Sequence, residues 1–366
     1  MKYWLFIVGV LMVSFSLKAW CSYDKNAQET HEKFQNTEIN YQSGLSDIWQ
    51  IVKSYFTVKR AHPTPVKPVP VLPLTTLSLS FSTEDQIFRL GHSTLLIRLD
   101  GEYILLDPVF SERASPVQWA GPKRFHQSPI SIEQLPAIKT VIISHDHYDH
   151  LDKAAVMALN KKVEHFVTPS KVGDHLIDWG ISASKVSQLA WWQELNLAGL
   201  TLVATPAQHF SGRGLFDRDT TLWASWVIQG EKNKLFFSGD GGYFSGFKDI
   251  GERYGPFDIT MIETGAYNEL WSDIHMMPEQ SLQAHIDLNG ADFQQSAMLP
   301  IHNGTFDLSL HDWFEPLERI TTLAEQANVP VLTPIFGEAV SVDFPTQAAY
   351  WWRDMLTEPT VAMQAQ

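Results

Sequence analysis

The stretch Ser144-His145-Asp146-His147-Tyr148-Asp149-His150-Leu151-Asp152 decides how this chain is read. It follows directly on the apolar run Thr140–Ile143, which has the character of a buried strand. Three imidazoles and two carboxylates therefore lie within six residues, at the C-terminal edge of that strand. Such an edge is a common place for ligand-bearing loops. His145 and His147 can turn together around one metal ion, and Asp149 and His150 can turn toward a second. Imidazole and carboxylate donors without thiolate suit zinc best, with iron or manganese as alternatives.

One loop cannot fill two metal shells, so further ligands must come from elsewhere. The sequence offers three in matching settings. His209 follows the apolar run Leu200–Ala204, Asp240 follows Lys234–Ser238, and His302 follows Ala297–Ile301. The glycines around Asp240, in Ser238-Gly239-Asp240-Gly241, would let backbone pass close to a metal.

Around these points, short strand-like runs alternate with helical ones. Strands are expected over 86–90, 94–99, 103–106, 140–144, 200–204, 222–228, 234–238, 258–262 and 297–301. Helices are expected over 152–160, 278–288 and 312–327. Strand meanders with interspersed helices point to an α/β layered sandwich.

The composition narrows the function classes. The 366-residue chain is 44% hydrophobic and 12% aromatic, which gives ample material for a large core. Its formal net charge of −14 counts against nucleic-acid binding, which needs a basic face. A single cysteine, Cys21, excludes an intramolecular disulfide and a cysteine-ligated zinc ribbon.

The N-terminus is polar and apolar in blocks. Lys2 precedes an apolar run from Tyr3 to Leu17, too short for an ideal spanning helix and suited to a signal segment. Residues 1–21 are therefore expected to be a signal peptide or membrane anchor, with the protein exported and either periplasmic or membrane-anchored. Trp20, before Cys21, is bulky for lipoprotein processing, and lipid on Cys21 is left open. Residues 22–76 are expected to form a tether with a short amphipathic helix over 45–56. The tether ends in a stiff arm carrying Pro63, Pro65, Pro68, Pro70 and Pro73. The catalytic domain is expected over 77–345, followed by a tail over 346–366.

The metal pattern resembles the metallo-β-lactamase superfamily. The flanking runs narrow the resemblance to N-acyl-phosphatidylethanolamine-hydrolysing phospholipase D. They are Asp107–Pro116, Gly121–Phe125, Ser238–Tyr243, Tyr254–Asp258, Gly265-Ala266-Tyr267 and Ile301–Phe306. The resemblance implies a four-layered αββα sandwich and two Zn2+ per chain. His145, His147 and His209 would hold one ion and Asp149, His150 and His302 the other, with Asp240 bridging. Asp146 falls on the family's variable position and is not expected to be a ligand.

The implied activity is hydrolysis of N-acyl-phosphatidylethanolamine-type phospholipids to phosphatidic acid and N-acylethanolamine, at a membrane surface. Asp149 would orient the attacking water, and His275 would serve the leaving alkoxide or touch substrate. The main alternative is a zinc hydrolase of the same fold acting on another ester, lactone or phosphoester, since fold alone does not choose a substrate. An iron redox protein on this sandwich would carry Glu where His147 stands, and a binding protein with a dead site would lack ligands. Asp107 is expected to support the metal loop through hydrogen bonds, His92 to stand behind the ligands or in the core, and Lys123 with Arg124 is a candidate cationic patch. The tryptophan pairs at 191–192 and 351–352 are expected in the core, as are Trp271 and Trp313. The sequence does not determine oligomeric state.

Overall fold

Two β-sheets lie face to face in the computed structural model, which describes residues 33–40, 45–81, 83–346 and 350–356. The expected signal or anchor segment, and Cys21, lie outside these residues. In chain order the strands are β1 Gln86–Arg89, β2 Leu95–Leu99, β3 Glu102–Leu106, β4 Ile138–Ile142, β5 Val163–Pro169, β6 Val186–Leu189 and β7 Glu194–Leu197. They continue as β8 Leu200–Thr205, β9 Ser225–Gln229, β10 Lys234–Phe237, β11 Ile259–Glu263, β12 Ala297–Ile301 and β13 Ala339–Ser341. One sheet has the order β13-β1-β2-β3-β4-β5-β6 and the other β12-β11-β10-β9-β8-β7.

Side-chain alternation builds the layers. Leu95, Ile97 and Leu99 of β2 join Leu235 and Phe237 of β10 and Ala297, Leu299 and Ile301 of β12 in one core between the sheets. The intervening residues point outward. Leu96 and Val141 pack under the helices Lys153–Leu159 and Val172–Asp178. On the far side, Phe236 and Met298 pack under the helices Gly246–Tyr254, Pro278–Asn289 and Glu315–Ala327. The architecture is the expected four-layered αββα sandwich. The parallel neighbours β3, β4, β5 and β6, and β10, β11 and β12, present their C-terminal ends together. The loops after β4, β8, β10 and β12 carry the metal-type residues.

The expected strands and helices are present, with ends shifted by up to three residues. Sequence reasoning did not place β5, β6, β7 and β13 or the helices Val172–Asp178 and Gly246–Tyr254. Val186–Leu189 and Glu194–Leu197 are short and only partly buried, so they lack a clean apolar pattern.

The boundary expected at residue 77 does not separate an arm from the folded unit. Val69 and Leu74 are buried, Leu72 N donates to Phe336 O at 2.8 Å, and Leu74 N donates to Pro129 O at 2.9 Å. Arg60 pairs with Asp307 and donates to Ser309 O at 2.9 Å. The proline-rich stretch bends repeatedly, and at Leu72 and Leu74 its backbone is paired with the domain. Likewise the tail contributes a helix, Trp351–Leu356, whose Trp351 and Trp352 are buried with Val69, Trp313 and Phe336. The proline-rich stretch and the C-terminal helix thus meet in one apolar cluster. Among the described residues, no helix is long and apolar enough to cross a membrane.

Candidate metal centre

The loop after β4 is held from beneath by Asp107, which ends β3. Its Oδ1 accepts from Ser144 N at 2.7 Å, and its Oδ2 accepts from Ser144 Oγ and His150 Nδ1 at 2.6 Å each. The carboxylate thereby fixes the loop's entry and aims His150 Nε2 at the centre of the site. At the loop's exit, Asp152 caps the helix Lys153–Leu159, accepting from Ala154 N at 2.9 Å. The same side chain accepts from Ser111 N at 2.8 Å and so ties the 107–113 run to the metal loop.

Gly239 lets the Asp240 loop approach. Its φ is +58°, and a Cβ there would lie 2.7 Å from Ser144 Cβ. Gly265 plays the same part for His302, since a Cβ would lie 2.1 Å from His302 O. His302 itself adopts φ +64°, unusual for a residue with a side chain. Its N–H donates to His92 O at 3.0 Å.

All seven expected ligands converge. His145 Nε2 lies 3.0 Å from His147 Nδ1, and His209 Nε2 lies 3.3 Å from the same atom. Asp149 Oδ2 lies 3.6 Å from His150 Nε2 and 3.3 Å from His302 Nε2. Asp240 Oδ2 sits between the two groups. It is 3.1 Å from His150 Nε2 and 2.9 Å from His302 Nε2, and 3.9 Å from His145 Nε2 and 4.0 Å from His209 Nε2.

The donor set fits divalent metal binding. Yet His150 Nε2, His302 Nε2 and Asp240 Oδ1 are buried with no properly oriented hydrogen bond. His147 Nδ1 faces ring nitrogens of His145 and His209 at 3.0 and 3.3 Å, and such lone pairs repel unless a cation or proton lies between them. Burial, with the neighbouring His150 and His147 rings, holds His145 well below the ordinary imidazole pKa, and burial beside His147 does the same to His209. These rings are neutral, the form that binds metal. At Asp240, burial disfavours the charge, but His150 and His302 outweigh it and hold the carboxyl well below the usual range. Asp149 is held low in the same way by His150, His302 and His92.

Four residues depart from or add to the expected site. His92 stands directly behind the ligands: its Nε2 lies 3.4 Å from Asp149 Oδ2, and it groups with Asp149, His150 and His302. Glu263 was not anticipated. It ends β11, fully buried, and accepts from Gly241 N at 2.6 Å and from His275 Nδ1. It directly follows the expected strand over 258–262, the setting that marks Asp240 and His302. Lys123 and Arg124 do not form a shared patch. Lys123 pairs with Glu112 at 2.9 Å on the surface, whereas Arg124 is buried and donates to Val109 O at 3.2 Å.

Asp146 turns away from the site, accepting from Gly212 N at 2.8 Å and Thr221 Oγ1 at 2.9 Å. Tyr148 donates to Arg213 O at 2.9 Å. Trp271, Trp313, Trp351 and Trp352 are buried, as expected, and Trp191 and Trp192 are partly buried.

A cavity of about 710 Å³ opens over the centre. His147, Asp149, Asp240, His275 and His302 form its floor, and Ile51, Tyr55, Phe125, Phe210, Trp271 and Leu308 give it apolar walls.

Comparison with known proteins agrees with this geometry. A beta-lactamase superfamily domain model matches residues 102–303. An uncharacterized protein of Mycobacterium bovis is 41% identical over 307 residues, covering 84% of this chain and 80% of the relative. The N-acyl-phosphatidylethanolamine-hydrolyzing phospholipase D 1 of Caenorhabditis elegans is 34% identical, covering 67% of this chain and 72% of that protein. Among solved structures, a metallo hydrolase of the archaeon Ignicoccus hospitalis shares the fold, with a TM-score of 0.55 and 21% identity over 72% of this chain and all of that one. A sandwich with clustered His and Asp ligands at its strand ends, matched over more than half its length by the family model, places the chain in the metallo-β-lactamase superfamily as a metal-dependent hydrolase.

Proposed function

We propose that this chain is a dinuclear zinc phosphodiesterase that cleaves N-acyl-phosphatidylethanolamine-type phospholipids to phosphatidic acid and N-acylethanolamine. One observation carries the reading: Asp240 Oδ2 lies within 4.0 Å of ring nitrogens of His145 and His209 on one side and of His150 and His302 on the other, at the floor of a large cavity with apolar walls. The resemblance to the nematode phospholipase D supports the substrate class.

His145, His147 and His209 would hold one Zn2+, and Asp149, His150 and His302 the other, with Asp240 between. A bound zinc pair supplies a nucleophilic oxygen at neutral pH and offsets charge growing on the phosphoryl group. Asp149, held ionised, orients the attacking water by accepting its hydrogen bond. His275 donates from Nδ1 to Glu263, which leaves Nε2 as the nitrogen available to the cavity. With Nδ1–H held by Glu263, Nε2 takes up the proton that the attacking water releases and passes it to the departing N-acylethanolamine oxygen. The apolar walls take up acyl chain and exclude water.

Exposed apolar residues support approach to a membrane surface. Trp119 at the cavity edge and Phe216 on the adjacent 211–222 loop are 71% and 87% exposed. Export, to the periplasm or a membrane anchor, belongs to the same proposal and rests on the Tyr3–Leu17 run.

The test uses the purified full chain. Metal analysis should find two zinc ions. In 18O water, the N-acyl lipid should yield phosphatidic acid labelled in its phosphate and unlabelled N-acylethanolamine. Absence of metal defeats the hydrolase chemistry. Inertness toward this lipid, with turnover of a carboxylic ester or lactone, moves the substrate to another class.

A further inference from the structure

We infer that residues 33–40 form a strap that positions the metal ligand His209, with Asn36 as its positioning residue. The inference rests on the two-metal reading and adds a part of the chain outside residues 102–303, the span of the family match.

The Asn36 amide pairs with both backbone groups of His209. Its Oδ1 accepts from His209 N at 3.0 Å, and its Nδ2 donates to His209 O at 2.8 Å. A side-chain amide thus takes the place that a neighbouring strand would hold. The same Oδ1 accepts from the buried Trp223 Nε1 at 2.9 Å. Asn36 is itself held in a closed turn: its N–H donates to Asn40 Oδ1 and its Nδ2 to Ile39 O, each at 2.9 Å.

The strap reaches three loops around the site. Ile39 N donates to Gln208 Oε1 at 3.3 Å, beside His209. Glu38 accepts from Ser245 N at 2.9 Å, beyond Asp240. Phe34 N donates to Asp219 O at 2.9 Å, on the loop that borders the cavity. Gln208 O in turn accepts from Gly242 N at 2.9 Å, which couples the His209 and Asp240 loops.

The backbone of His209 needs such a partner. His209 follows β8 by four residues, beyond the ladder that pairs β8 with β9. Its ring is set by Nδ1 donating to Ile274 O at 3.0 Å, which points Nε2 at the other imidazoles. Ring and backbone are therefore fixed from opposite directions. Without Asn36 a buried N–H and C=O are left unpaired, and the loop gains freedom to shift the ligand.

The consequence is selective. Loss of Asn36 weakens the metal held by His145, His147 and His209 and spares the one held by Asp149, His150 and His302. The test substitutes Asn36→Ala and Asn36→Asp in the full chain. Metal-stripped protein is titrated with Zn2+ against a chromophoric chelator, which resolves two binding steps. In Asn36→Ala one step weakens by roughly ten- to a hundred-fold, the usual range for outer partners of metal ligands, and the other is unchanged. Asn36→Asp, which keeps the acceptor and loses the donor, falls between. Should Asn36→Ala not fold, Asn36→Asp carries the test. Two unchanged steps in a folded variant overturn the inference, as does a lowered melting temperature with both affinities intact. A wild-type chain that takes up no Zn2+ instead overturns the two-metal reading.

Discussion

His150 Nδ1 donates to Asp107 Oδ2 at 2.6 Å, and neither side chain touches solvent. Asp107 stands at the end of β3 and His150 six residues past Ser144, so this bond joins two adjacent strands beneath the metal loop. Asp107→Asn keeps one acceptor but turns an amide N–H toward either Ser144 N or His150 Nδ1. We expect metal affinity to fall by roughly ten- to a hundred-fold. Chelator competition would show this, and an unchanged affinity would remove Asp107 from the support of His150.

Arg89 supports the other side of the centre. It is fully buried without a carboxylate and donates to Asn303 O and, at 2.9 Å, to Asn303 Oδ1. Burial pulls its guanidinium down to about 9, still charged at neutral pH. Asn303 follows His302, whose left-handed backbone needs external support. Arg89→Met should lower stability by about 1–3 kcal/mol through the orphaned acceptors and reduce bound metal. Denaturant unfolding with and without chelator separates the two effects. A variant as stable and as metal-loaded as the parent would refute the role.

His285 gives an acid-sensitive element remote from the metal residues. Its Nδ1 accepts from Thr260 Oγ1 at 2.7 Å and its Nε2 donates to Phe293 O at 2.9 Å. Burial lowers its pKa from 6.5 to about 4. The folded value lies below the unfolded one, so this stabilisation is complete above pH 6.5 and is lost as pH falls through 4. The shift corresponds to about 3 kcal/mol at most. Stability measured from pH 7 to 4 should fall less steeply in His285→Gln, by up to one proton's worth of slope. Parallel curves would show that His285 does not titrate in this way.

The exposed aromatics near the cavity predict a lipid-dependent phenotype. Trp119→Ala with Phe216→Ala should weaken binding to phosphatidylethanolamine vesicles in flotation by roughly a hundred-fold or more, since each large side chain contributes about 1.5–3 kcal/mol when buried. Metal content should not change. Equal flotation of the double variant and the parent would place the membrane contact elsewhere.

Much of the site was legible in order along the chain. The loop from His145 to His150 declares itself because its ligands are adjacent, and His209, Asp240 and His302 each follow an apolar run. Glu263 also follows such a run, but as a lone carboxylate between Ile262 and Thr264 it does not stand out among the chain's many acidic residues. Asn36 and Arg89 carry no such mark. An asparagine in a polar stretch and an arginine in a short strand look ordinary until their partners, more than 170 residues away, are known.

By itself, then, the sequence determined the layered α/β class, the strand-end chemistry and the ligand types, because alternation and local adjacency are properties of neighbouring residues. Only the tertiary structure decided which backbone groups hold those ligands, that residues 33–40, 45–76 and 350–356 pack onto the domain, and that Lys123 and Arg124 part company. Those outcomes depend on contacts between distant segments, where burial and unpaired polar groups are settled by how the sheets and loops meet in space.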